Sequence, residues 1–232
     1  MNGDTTMTEK PKYERTLWWL TGILVLIGVV IVVRRLVSLA NLPPAQYVPV
    51  ANSRNPVPDS GFIDHPLLTA IHIIPAIIFV LLAPLQFVKR IQVQYPTFRR
   101  VTLNVVLACG LVIGSTALIM GFIMAIGGIT ETLAVTVYGT AFLYCIVRAW
   151  ITFAQKQMAQ HREWMIRVLA IALAVSTTRP VVVLFFATSR LTGLTIHQYF
   201  GVAFWIAFTL HVIVAEAWIR RTRPTQQKKA IR

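Results

Sequence analysis

Apolar residues fall into six blocks along the chain, at about 17–33, 66–88, 100–126, 131–153, 165–188 and 197–219. Each approaches the ~20 residues that an α-helix needs to cross a bilayer. The first block can run on to residue 39, past Arg34-Arg35. The pattern predicts an all-α polytopic membrane protein with six transmembrane helices in one bundle. It divides the chain into a polar N-terminal tail (1–16), a first membrane anchor helix (17–40), an extracytoplasmic loop (41–64), a five-helix membrane core (65–220) and a basic C-terminal tail (221–232). The loop carries prolines at 43, 44, 49, 56 and 58, and Gly127-Gly128 predicts a tight turn between the third and fourth spans.

The first block resembles a signal peptide, because Lys10, Lys12 and Arg15 precede it and Val37-Ser38-Leu39-Ala40 is a passable cleavage pattern. It exceeds the usual apolar region of roughly 7–15 residues and ends in two arginines, so it reads as a retained anchor.

Composition agrees: the chain is 56% hydrophobic and 13% charged, against roughly a quarter charged in soluble domains. A net charge of +14 would suit nucleic acid in a soluble protein. Here the basic residues sort by side of the membrane, so no nucleic-acid partner is expected. With the N-terminus inside, Lys10, Lys12 and Arg15, then Lys89, Arg90, Arg99 and Arg100, then Arg148, Lys156, Arg162 and Arg167 all fall inside, as do six more from Arg220 onward. Outside lie Arg34, Arg35, Arg54 and Arg190. The bias places both termini in the cytoplasm. Trp18, Trp19, Trp150, Trp164 and Trp218 fall near the same inner boundary, where indole rings are favoured.

The third span carries Gly110, Gly114 and Gly121 on one face. Close helix packing explains them; a flat cofactor lying on the helix would need the same lack of side chains. Cys109 and Cys145 sit inside apolar blocks with no metal or redox spacing. Pro75 and Pro84 each remove an internal hydrogen bond from the second span.

Ionisable groups inside a membrane are costly and so mark candidate sites. His65, His72, His197 and, deeper, Arg179 form an outer tier with Asp64; His161, Arg162, Arg167, His211 and Glu216 form an inner one. His197 and His211 share a face ~21 Å apart at helical rise. That is a spacing at which His72/His197 and His161/His211 would hold two stacked b-type haems, imidazole being a common axial ligand. Glu216 is four residues before Arg220 and in position to pair with it. Arg179 stands in Ser176-Thr177-Thr178-Arg179-Pro180, about ten residues or ~15 Å of rise short of the outer end. An arginine at a helix centre costs roughly 2.5–3.5 kcal/mol to insert. Its side chain is shorter than that rise, so the sequence predicts a polar cavity around it.

HPLLTAIH (65–72), APLQF (83–87), the Gly127-Gly128 turn, HREWMIR (161–167) and AEAWIR (215–220) follow in order. Together they resemble the bacterial membrane family catalogued as domain of unknown function twenty-three-oh-six, over about residues 62–220. The resemblance implies a multi-pass protein of the bacterial cytoplasmic membrane and carries no established activity. The family's usual histidine-arginine pair before the third span is Phe98-Arg99 here, and its last helix usually has asparagine near His211. Matching positions are His65, His72, His161, Arg162, Arg167 and Glu216, with Arg179 where relatives tend to keep an arginine.

Three readings follow. The first is a haem b protein, with His72, His197, His211 and His161 as ligands and Arg179 nearby, exchanging electrons with quinone or a redox partner. The second is a small transporter or binding protein for an anionic or lipid-like ligand centred on Arg179. The third is a non-catalytic assembly or scaffold subunit.

Overall fold

A computed structural model describes residues 12–40 and 60–223. Most of the loop expected at 41–64 and the distal parts of both tails lie outside the described residues. Six of the described helices are long and apolar enough to cross a membrane. They are α1 (Lys12–Ala40), α3 (Pro66–Leu82), α5 (Pro96–Ile123), α6 (Gly128–Ala154), α7 (Met158–Thr192) and α8 (Ile196–Thr222). Two short helices, α2 (Ser60–Asp64) and α4 (Lys89–Gln94), lie between them. α1 starts five residues before the predicted span and continues through Arg34-Arg35.

The second span departs from the unbroken 66–88 segment. Its α-helix stops at Leu82, and Pro84–Phe87 form a 3₁₀ turn leading into α4. Pro84 sits at the first position of that turn, where a missing N–H costs nothing. Pro75 is accommodated inside α3. The buried Gln86 then ties the turn to α5: its Nε2 donates to Thr102 Oγ1 at 2.8 Å, while Oε1 is left without a partner.

α3 packs on α5, α5 on α6, α6 on α7, and α7 on α8, which also meets α6; α1 touches α3 and α7. The centre is filled by apolar side chains, among them Phe79, Leu103, Val106, Ile146, Met165 and Val168. Phe79 and Phe142 meet edge-on at 5.9 Å. Outward stand large apolar groups such as Leu67, Phe122, Val183, Phe186 and Ile213. Such a surface suits lipid, not water. α1 is the outlier, with no residue of its most apolar stretch buried inside the protein.

The α5 glycines serve helix packing. A Cβ on Gly110 would stand 2.5 Å from Ile146 Cδ1, on Gly114 2.5 Å from Leu143 Cδ2, and on Gly121 2.7 Å from Val135 Cγ1. Side chains of α6 thus occupy the space a planar cofactor would need. The predicted Gly127-Gly128 turn is present, and each glycine has its own reason. Gly128 adopts φ +58°, a left-handed conformation costly for other residues. A Cβ on Gly127 would come within 2.5 Å of the Gly201 backbone nitrogen.

α7 runs for 35 residues, ~52 Å at helical rise against ~30 Å of hydrocarbon. It passes through Pro180 without a break and ends on Gly193 at φ +69°. Thr195 and Gln198 close a capping box at the start of α8.

Candidate functional site

Charged residues gather where α5 and α7 begin and α6 and α8 end. There the antiparallel α7 and α8 are joined by reciprocal ion pairs. Arg167 of α7 holds Glu216 of α8 through Nε–Oε1 (2.5 Å) and Nη2–Oε2 (3.1 Å). Arg223, just past α8, holds Glu163 of α7 through Nε–Oε1 (2.8 Å) and Nη2–Oε2 (2.9 Å). These hydrogen bonds to Glu163 raise the Arg223 pKa further above its ordinary value. Arg162 donates to Thr222 Oγ1 at 3.1 Å. Glu216 therefore pairs across the helices with Arg167 and not with Arg220 along its own, as the four-residue spacing had suggested.

Aromatic rings support the same cluster. The guanidinium carbons of Arg167 and Arg148 lie 4.6 and 5.4 Å from the Trp164 ring centre, and Tyr144 meets that ring edge-on at 5.6 Å. His161 is buried, donating from Nδ1 to the Ala149 carbonyl at 2.9 Å. The Phe153 ring lies 5.2 Å away.

Beside this cluster is a cavity of about 380 Å³ lined by Pro96, Thr97, Arg99, Arg100 and Phe153. Arg99 Nε is buried with no hydrogen-bond acceptor, and so is Arg148 Nε. Leaving a buried donor unpaired costs about 1–3 kcal/mol, more when it is charged. The described carboxylates at this end, Glu163 and Glu216, are both taken up by two-pronged pairs.

At the opposite end of the bundle the turn before α6 is tied to α8. Glu131, buried at the start of α6, accepts from Gly127 N at 2.7 Å and interacts electrostatically with Arg179 of α7. His197 donates from Nδ1 to the Ile126 carbonyl at 2.5 Å, and Trp205 Nε1 to the Thr130 carbonyl at 3.1 Å. Arg179 thus has a carboxylate within electrostatic reach near its own level. The sequence reading missed Glu131. Counting from the connection between α6 and α7 would have found it: Glu131 lies 24 residues before Gln155 and Arg179 22 residues after Gln157, rises of ~36 and ~33 Å.

The histidines do not form the expected tiers. His211 bonds Thr177 through Nε2 at 2.7 Å. It also reaches the Ala170 carbonyl; Ala170 and Thr177 are 9 and 16 residues along α7 from His161, ~14 and ~24 Å of rise, so His161 and His211 stand at different depths. His72 donates from Nδ1 to Thr116 Oγ1 (2.9 Å), whose own hydroxyl donates to the Val112 carbonyl. His72 thus faces α5, whereas His197 is held by the turn before α6, and α3 and α8 make their main contacts with different helices. His65 is exposed ahead of α3. Among the described residues no three of His, Cys, Asp and Glu converge in a metal-binding group. Cys109 and Cys145 are free thiols.

A family model described as "Predicted membrane protein (DUF2306)" matches residues 69–219. The chain belongs to this family. No curated protein and no solved structure gives a significant match. In this DUF2306 member the motifs singled out in the sequence have structural roles at one end of the bundle. PLQF supplies the 3₁₀ turn and the Gln86 tie to α5. HREWMIR supplies His161, the Glu163 pair, the Trp164 ring and Arg167. AEAWIR supplies Glu216. Arg99, one residue after Phe98 at the start of α5, lines the cavity.

Proposed function

We propose that this protein is a membrane-embedded binding protein or carrier for an anionic ligand, taken at the cavity of Arg99, Arg100 and Phe153. The reading keeps the anionic ligand expected from the sequence and moves its centre away from Arg179, which lies within electrostatic reach of Glu131. The observation that carries it is the buried Arg99 Nε beside an open volume with no acceptor. A buried guanidinium N–H without an acceptor is costly, and a bound anion offsets that cost through a charge-assisted hydrogen bond. By the bias of basic residues the cavity faces the cytoplasm of a bacterial cell.

The test is a thermal-stability screen of purified protein in neutral detergent. The compounds are inorganic phosphate, sulfate, a dicarboxylate, a short-chain anionic phospholipid and a zwitterionic one. A ligand that binds only the folded state raises its stability. At least one anion should raise the unfolding temperature of the wild type, with the rise lost in Arg99→Gln. If no anion stabilises the wild type, or Arg99→Gln responds equally, the reading fails.

A further inference from the structure

We infer that the anion is the phosphomonoester headgroup of an amphiphile whose acyl chain enters sideways from the bilayer. The inference rests on the anion-binding reading above and names the ligand class of that same site.

The position of the cavity supports a lipid-side entry. Its floor is the first turn of α5, Pro96 and Thr97. The residues around that turn are large, apolar and turned outward: Val93, Tyr95, Phe98 and Val101 are all exposed. Phe153 adds an apolar wall. A headgroup held by Arg99 and Arg100 would therefore have its tail against a surface already suited to acyl chains.

Charge argues for a monoester over a diester. Arg99 and Arg100 line the cavity, and the nearby α4 adds exposed Lys89 and Arg90. Both described carboxylates at this end are consumed by Arg167 and Arg223. A phosphomonoester carries about −1.5 to −2 charges near neutral pH and presents three acceptor oxygens. A phosphodiester carries one charge. The first backbone hydrogen bond entering α5 is Arg99 N to Tyr95 O at 2.9 Å; the preceding N–H groups of Thr97 and Phe98 are first-turn donors of the kind that favour phosphate.

Native mass spectrometry of the full chain in neutral detergent tests the inference. The ligands are dihexanoyl phosphatidic acid, dihexanoyl phosphatidylglycerol and inorganic phosphate. Phosphatidic acid should bind at least tenfold tighter than phosphatidylglycerol, and inorganic phosphate should not displace it at equal concentration. Arg99→Gln should weaken phosphatidic acid binding tenfold or more. Thr97→Trp keeps both arginines but fills the cavity from its floor, and should weaken phosphatidic acid more than inorganic phosphate, which guards against a folding defect in the arginine variant. Equal binding of the two lipids, or equal Arg99-dependent binding of inorganic phosphate, overturns this inference and leaves the anion-binding reading standing. Arg99-independent binding of every anion, or none, overturns both.

Discussion

Arg167 grips Glu216 with both prongs of its guanidinium while lying over the face of Trp164, joining α7 and α8 across 49 residues of chain. The geometry asks for a planar fork and a stacked cation together, and lysine offers neither. Arg167→Ala should lower stability by about 1.5–3 kcal/mol, in the range for hydrogen bonds to charged groups. Arg167→Lys should recover less than half of that loss. Thermal unfolding in detergent checks both, and a lysine variant as stable as wild type would count against the two-pronged, stacked role.

Glu131 and Arg179 form a charge relationship within the membrane-spanning segments. Glu131 is buried and Arg179 half-buried, so removing one partner strands the other at a cost below the about 3–5 kcal/mol of a fully buried pair. Glu131→Gln and Arg179→Gln should each reduce folded yield, and the double variant should be more stable than Arg179→Gln alone. Additive losses in the double variant would mean that the two side chains do not depend on each other.

Gly127 and Gly201 let the turn before α6 lie directly on α8. Gly127→Ala should destabilise by at least about 1–3 kcal/mol, the usual overpacking cost, because its neighbour is backbone and cannot rotate away. Gly22→Ala on α1 is the control: its Cβ would meet nothing within 4 Å, and helix propensity favours alanine. Similar unfolding temperatures for the two variants would contradict the close contact.

The end bearing Lys156 and the HREWMIR turn is expected to face the cytoplasm. A single cysteine placed at Lys156, in a background lacking Cys109 and Cys145, should resist a membrane-impermeant thiol reagent in intact cells. It should react once the membrane is opened. Reaction in intact cells would invert the topology.

The Gly127-Gly128 turn was legible because two adjacent glycines between apolar blocks have few other uses. HREWMIR and PLQF marked the basic end for a similar reason, since charged and amide groups at span boundaries stand out against apolar sequence. Glu131 was not legible as a partner: at a span boundary a lone carboxylate looks like a solvated end. Its meaning comes from Arg179, two helices' length away along the chain and nearly level with it in space.

The sequence by itself determined that six segments suit the bilayer, because crossing lipid depends on length and apolarity, which are properties of one stretch at a time. It could not say which faces meet. A span in lipid is apolar on its outside as well as its inside, so the contrast that orients a helix in water is nearly absent. Tertiary structure alone decided that Glu216 turns to Arg167, that Arg179 finds Glu131, that His161 and His211 stand apart, and that Arg99 is left facing an open volume. Each of these depends on helix rotation and register, which close packing of glycines and side chains sets and hydropathy does not record.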